Sequence, residues 1–341
     1  MKRFIQAVGA LLLGAAIAAG AWAQAPEKKK ITIAVGGKSL FYYLPLSVAE
    51  HKGYFKDEGL EVEIPDFPGG AKALQALVGG SADFVSGAYE HTINMLAKKQ
   101  PIKAVVLQLK YSAIVLLMPK EKAAQYHGGR DLKGLKIGVT APGSSTNMFV
   151  NNLLAKDGLK PTEVSIVGVG VGAGAFAALE KGEIDALSNL DPVVTQLEST
   201  GNFVAVVDTR TEKGMKDVYG GDYMAAVIYV TDEYLKKNPN TVQAVVNAIV
   251  RADKWIAKAT PQEIVDLMPA EYKAGNPSLY KMGLMKNMIG YSQDGMMSLK
   301  AAENVYAVLS KFEPSVMNAG KIDLNATFDN SYVEKANSKY K

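Results

Sequence analysis

An internal repeat constrains this chain more than any other feature. Set Gly70–Ser86 against Gly172–Ser188, an offset of 102, and eight of seventeen positions are identical: Gly70/Gly172, Ala71/Ala173, Ala73/Ala175, Ala76/Ala178, Leu77/Leu179, Gly80/Gly182, Asp83/Asp185 and Ser86/Ser188. Alanine and glycine match often by chance, but the shared Leu…Gly-x-x-Asp-x-x-Ser skeleton is harder to dismiss. Upstream, Lys56-Asp57-Glu58-Gly59-Leu60 resembles Lys156-Asp157-Gly158-Leu159. A period near 100 is too long for a solenoid and predicts two similar lobes in one chain.

Each lobe reads as α/β. Strands are expected at Ile31–Val35, Leu60–Ile64, Asp83–Ser86, Lys103–Leu109 and Ala113–Met118. A second series follows at Lys136–Thr140, Val164–Val167, Ile184–Ser188, Phe203–Val207 and Met224–Val230. Helical spacing falls at Pro45–His51, Ala71–Val78, Asn147–Lys156 and Ala173–Lys181. Short apolar strands joined by helical crossovers predict parallel-rich sheets covered on both faces. Beyond Thr231 the pattern is helical, with breaks at Pro239, Pro261, Pro269 and Pro277.

The first twenty-five residues read as an export leader. Lys2 and Arg3 precede the apolar run Phe4–Ala21, and Ala21-Trp22-Ala23 and Ala23-Gln24-Ala25 both offer small residues for cleavage, after Ala23 or Ala25. No later run reaches the length of a membrane span. With 38 basic against 34 acidic residues, the net charge is +4 and no nucleic-acid partner is expected. The chain has no cysteine, which excludes disulfides, thiolate metal sites, a cysteine nucleophile and a lipidated cysteine. An exported chain without a lipid anchor stays near its cell only behind an outer membrane, so a periplasmic location is expected.

The candidate chemistry lies in loops after the strands, where ligands of open α/β sheets bind. These are Gly36–Tyr43 with Ser39, Tyr42 and Tyr43; Phe67–Gly70, leading to Ala71; Ser86–Tyr89 with Gly87; Ala141–Thr146 with Ser144 and Ser145; Gly168–Gly172; and Asn189–Asp191. Several open helices, whose free N–H groups favour anions. The alternative is that Ser and Thr only cap those helices. Asp191 could meet an amino group or cap the next helix. Phe41, Tyr42, Tyr43 and Tyr89 could pack an organic ligand or the core.

Tyr43–Val62, Gly69–Asp83, Asp131–Ser145, Ala177–Ala186 and Asp191-Pro192 together resemble solute-binding proteins of the nitrate/sulfonate/taurine-type ABC importers. The resemblance spans about residues 31–255. It implies a type II periplasmic binding protein fold: two lobes, two crossovers and a ligand in the cleft. Lobe 1 is then expected at 29–112 plus 232–341 and lobe 2 at 113–231, hinged near Tyr111 and Tyr223–Asp232. Matching motifs imply a pocket of Tyr42, Tyr43, Gly70, Ala71, Ser86, Gly87, Tyr89, Ser144, Ser145, Thr146, Asn189 and Asp191. Ser39, Tyr111 and Gly172 are added from the adjoining loops and hinge. The implied ligand is a small organic anion, sulfonate, taurine-like or aromatic carboxylate. It would be delivered by a monomeric carrier to a membrane permease and its ATPase, without chemistry, cofactor or metal. The rivals are an enzyme on the same fold, such as a pyrimidine-precursor synthase, and a ligand sensor.

Other patterns carry less. Gly170-Val-Gly172-Ala-Gly-Ala175 fits a dinucleotide fingerprint, but the helix after it is short. His51, His91 and His127 lack metal-ligand spacing. Met282, Met285 and Met288 are expected to fill a core, with copper(I) as the alternative.

Overall fold

Strand propensity and alternation place ten strands in the chain, and all ten are present in the computed structural model, which describes residues 25–341. They are β1 (Lys30–Val35), β2 (Glu61–Glu63), β3 (Phe84–Ala88), β4 (Ile102–Leu109), β5 (Val115–Pro119), β6 (Lys136–Val139), β7 (Ser165–Gly168), β8 (Ala186–Asn189), β9 (Phe203–Asp208) and β10 (Ala226–Thr231). They form two five-stranded sheets, ordered β2-β1-β3-β10-β4 and β7-β6-β8-β5-β9. The expected leader lies, except for its last residue, outside the described residues. No helix among the described residues is long and apolar enough to cross a membrane.

The sheets are mixed. β1 pairs parallel with β2 and β3, and β6 parallel with β7 and β8. In each sheet the fourth strand, β10 or β5, runs antiparallel to both neighbours. Each of these is the first strand after the chain has crossed from the other sheet, and it enters against the direction of the βαβ units. β10 therefore belongs to the first sheet. An expected lobe boundary at 231 had assigned it to the second, because an apolar strand's own sequence does not reveal its partners.

The repeat is one helix and one strand used twice. The helix Gly70–Val78 leads to β3, and Ala173–Glu180 leads to β8, the third strand of its sheet in each case. Gly80 and Gly182 take left-handed φ values of +76° and +70°, where other residues are strained. The paired aspartates are structural. Asp83 accepts the Thr32 N–H at 3.0 Å and Lys28 at 2.6 Å. Asp185 accepts the Lys136 N–H at 2.8 Å and Lys122 at 2.6 Å. Each carboxylate pins the second strand in the order of its own sheet, β1 or β6.

Prolines in the C-terminal region start helices, where a missing N–H costs nothing: Pro239–Ile256, Pro261–Leu267 and Pro277–Asn287. The long helix Pro239–Ile256 packs on β4, on the helix Leu44–His51 and on the terminal helix Ser331–Lys339. It carries an oddity. Asp253 is fully buried, and neither carboxylate oxygen has a hydrogen-bond partner among the described residues. Burial, assisted by the charge of Asp294, pushes this carboxyl well above the usual range. Ionisation therefore costs stability above the unfolded chain's carboxylate range and not below it. Asp253→Leu is expected to raise the thermal midpoint at pH 8, with a gain of about 1–3 kcal/mol that fades towards pH 4. Thermal unfolding at both pH values tests this; equal or lower stability at pH 8 contradicts it.

Candidate functional site

The carboxyl ends of β1, β3 and β6 meet across the two sheets, and the second crossover joins them. After β1, the turn Phe41–Tyr43 buries all three aromatic residues. After β3, the helix Glu90–Ala97 begins with Glu90 and His91, both buried. After β6, the helix Ser145–Lys156 begins with Ser145 and Thr146, also buried. Tyr219 ends the helix Glu212–Tyr219, and Tyr223 follows on the way to β10.

Close backbone approach holds these loops in register. A Cβ on Gly36 would stand 2.2 Å from the Gly70 nitrogen, so β1 and the start of the helix Gly70–Val78 touch main chain to main chain. The lobes touch as well. The Ala71 N–H donates to Ser144 Oγ at 2.9 Å, and the Phe41 N–H donates to the Asp191 carbonyl at 3.2 Å. Ser144 stands at the N-cap of its helix, yet its hydroxyl makes no capping bond and reaches the other lobe. His91 Nδ1 lies 3.1 Å from the Tyr229 hydroxyl and Nε2 lies 3.4 Å from the Gly143 carbonyl. A carbonyl only accepts, so Nε2 carries the proton and Tyr229 donates to Nδ1. Burial pushes His91 down to about 4, against the Gly143 carbonyl, which agrees with a neutral ring.

Glu90 is the electrostatic centre. Burial raises its carboxyl to about 7, although its own N–H and the Tyr223 hydroxyl favour the ion. Tyr223 donates to Oε1 at 3.1 Å; Oε2 is buried without a partner. The Tyr42 hydroxyl is likewise buried, with Ser145 beside it but no hydrogen bond of ordinary geometry. Burial and then the charge of Glu90 raise Tyr42, Tyr219 and Tyr223, of which Tyr223 bonds the carboxyl directly. The Tyr42 and Tyr43 rings meet edge-on at 5.0 Å, and those of Tyr219 and Tyr223 lie 4.3 Å apart. Ser112 bonds the Tyr219 hydroxyl at 3.0 Å. Tyr223 also lines a groove of about 710 Å³ between the crossovers and the C-terminal region, as do Tyr111 and Met215.

The expected pocket residues divide. Tyr42, Tyr43, Gly70 and Ser145 gather here; a Cβ on Gly70 would sit 3.6 Å from the Tyr43 hydroxyl and 3.5 Å from His91. Ala71 and Ser144 bond one another. Thr146 Oγ1 accepts the Thr140 N–H at 3.1 Å and closes its own loop. Ser86 bonds Gln108, and a side chain on Gly87 would strike the Tyr229 ring. Tyr89 turns away to Thr327. Asn189 donates to the Gly170 carbonyl at 3.0 Å. Ser39 is half-buried in its loop, Gly172 is exposed, and Tyr111 lines the groove.

The Asp191 side chain has structural partners. Its Oδ1 accepts the Thr195 N–H at 2.9 Å in the first turn of the next helix. Its Oδ2 accepts Arg210 at 3.1 Å and Asn287 at 2.8 Å. Arg210 is buried and also pairs with Asp208 at 2.7 Å and Glu198 at 3.1 Å. Burial works against this cation, but the bonds to Asp208 and the charge of Asp191 outweigh it and raise its pKa. Lys286 reaches Glu198 at 2.7 Å, so the helix Pro277–Asn287 is tied to this lobe.

Glu90, Tyr219 and Tyr229 were missed in the sequence as site residues. A lone glutamate directly after a buried strand, at a helix start, is the signal that could have found Glu90. Met282 and Met285 are exposed, because their helix buries Tyr280, Gly283 and Leu284 on its other side. No group of three or more histidine, aspartate or glutamate side chains placed to hold a metal ion lies among the described residues.

A sequence model of the family described as NMT1/THI5 like matches residues 41–264. A solved structure from Bordetella bronchiseptica RB50 is 52% identical and superposes with a TM-score of 0.90, covering 93% of this chain and 99% of that one. The alkanesulfonate-binding protein SsuA from Xanthomonas axonopodis pv. citri, bound to MOPS, has the same fold at 17% identity. Its TM-score is 0.69, with 89% of this chain and 99% of that one covered. A 4-amino-5-hydroxymethyl-2-methylpyrimidine phosphate synthase of Saccharomyces cerevisiae is 25% identical over 252 residues, 70% of this chain and 72% of that protein.

The burial of Glu90 has a measurable consequence. Its carboxyl titrates about 7 in the fold and near the ordinary 4.5 unfolded, so the native state holds the proton longer and stability falls as pH rises through this window. His91 acts oppositely, losing stability as pH falls below its ordinary value. Glu90→Gln removes only the first contribution. Relative to wild type the variant is expected to gain on the order of 3 kcal/mol between about pH 4.5 and 7. Parallel unfolding profiles against pH contradict this.

Proposed function

The chain belongs to the NMT1/THI5-like family, and from that premise we propose that it is the solute-binding component of an ABC importer, working in the periplasm as a monomer. One observation carries this reading. Side chains from two matched lobes and a crossover gather at one buried carboxyl and leave Glu90 Oε2 without a partner, beside a Tyr42 hydroxyl that has only Ser145 near it. Buried polar atoms are normally bonded, and an unpartnered carboxylate oxygen where the loops of both lobes meet suits a ligand in a way that the unpartnered Asp253 of the C-terminal helix does not.

In this reading lobe 1 is residues 29–112 with the chain from β10 onward, and lobe 2 lies between. The crossovers after β4 and before β10 form the hinge. The ligand bridges the lobes and shifts the population towards closure, completing the contacts Ala71–Ser144 and His91–Gly143. A permease with its ATPase then recognises the closed form. The sequence suggested a sulfonate, a taurine-like zwitterion or an aromatic carboxylate. The helix starts at Gly70 and Ser145 suit the anionic end of such a molecule. Among the described residues, however, no lysine is buried, and the buried Arg210 is engaged by three carboxylates. The named activity of the yeast relative keeps an enzyme on this fold as the rival reading.

Thermal unfolding against nitrate, bicarbonate, taurine, alkanesulfonates, aromatic carboxylates and pyrimidines tests the reading. A carrier is expected to respond to one solute class, gaining about 2.7 kcal/mol at 100 times the dissociation constant. Mass spectrometry should then recover that solute unchanged after prolonged incubation. Conversion of the solute supports the enzyme instead.

A further inference from the structure

Building on the carrier reading, we propose that Glu90 is the specificity-determining residue and that the solute presents a nitrogen-bound hydrogen-bond donor, an amine or amidine, to its free Oε2. A carboxylate in a dry site accepts hydrogen bonds and offers no donor when ionised. Tyr223 satisfies one oxygen. The other oxygen faces no donor among the described residues, and neither Ser145 nor His91 bonds it. His91 is already committed to Tyr229 and Gly143.

For the ionised carboxyl the surroundings disfavour the opposite choice; an anion would be tolerated only by protonated Glu90, whose O–H can donate to it. A sulfonate or carboxylate brought against Glu90 would set two anions side by side in a water-poor site, which raises the energy of both. No buried lysine or free buried arginine among the described residues is present to offset that repulsion. An ammonium or amidinium reverses the sign, because its N–H replaces the missing donor and its charge favours the ionised carboxyl. The Tyr42 hydroxyl, which has only Ser145 near it, both donates and accepts, and so takes whichever group lies beside that nitrogen. A zwitterion fits only if its cationic end is the one at Glu90.

The test uses matched probes that differ by the nitrogen group: taurine against ethanesulfonate, and benzamidine against benzoate. Calorimetry and thermal unfolding are run on wild type and Glu90→Gln, with small-angle scattering to follow lobe closure. At least one amine or amidine probe is expected to bind and close wild type more tightly than its anionic partner. In Glu90→Gln, which keeps the shape, that affinity should fall roughly tenfold or more. Tyr42→Phe, which leaves the carboxyl in place, should retain the preference for the nitrogen probe. Equal binding of both members of each pair overturns the proposal, as does an amine bound equally well by Glu90→Gln or silence of both nitrogen probes. Closure around an anion alone overturns the proposal and leaves the carrier reading standing. Lobes that close around no probe count against both.

Discussion

A carboxyl taken out of water must find partners, and Glu90 has one of those it needs. Its position at a helix start and the Tyr223 hydroxyl ease the cost of burial without removing it. The phenols of Tyr42, Tyr219 and Tyr223 and the neutral His91 ring are arranged around or beside it, and they come from both lobes and the second crossover. The site therefore exists only when the lobes are together. In the proposed carrier, that dependence would couple ligand capture to shape.

The lobes that carry it are two copies of one plan. Asp83 and Asp185 pin β1 and β6, Gly80 and Gly182 turn the helices, and an antiparallel strand from the other side occupies the fourth place in each sheet. The copies then diverge in their loops. In the first lobe, the segment after β3 delivers Glu90 and His91. In the second, the segment after β8 delivers Asp191, which the Arg210 cluster and Asn287 convert into a structural joint. In the proposed carrier, equivalent loops would serve recognition on one side and rigidity on the other.

Much of this was legible beforehand. Alternation and length gave the ten strands, because burial of a strand leaves a mark on its own residues. Sheet membership of β10 was not legible, because pairing depends on where the chain crosses. Of the expected pocket, Tyr42, Tyr43, Gly70 and Ser145 gather at the site, while Thr146, Asn189 and Asp191 bond their own loops and neighbours. A hydroxyl or carboxylate at a loop does not declare whether its partner is a ligand or the next turn. Glu90 was hidden because its importance lies in its partners, the tyrosines of a crossover more than 100 residues away.

The central claim is that these lobes open and close around a solute. The absence of cysteine makes a direct measurement clean, since Lys72→Cys on the first lobe and Lys181→Cys on the second can be spin-labelled alone. The distance between the labels, measured by pulsed electron resonance, is expected to be long or broadly distributed without solute. It should collapse to one shorter value with any solute that raises the unfolding temperature. A single distance unchanged by such a solute would contradict the account.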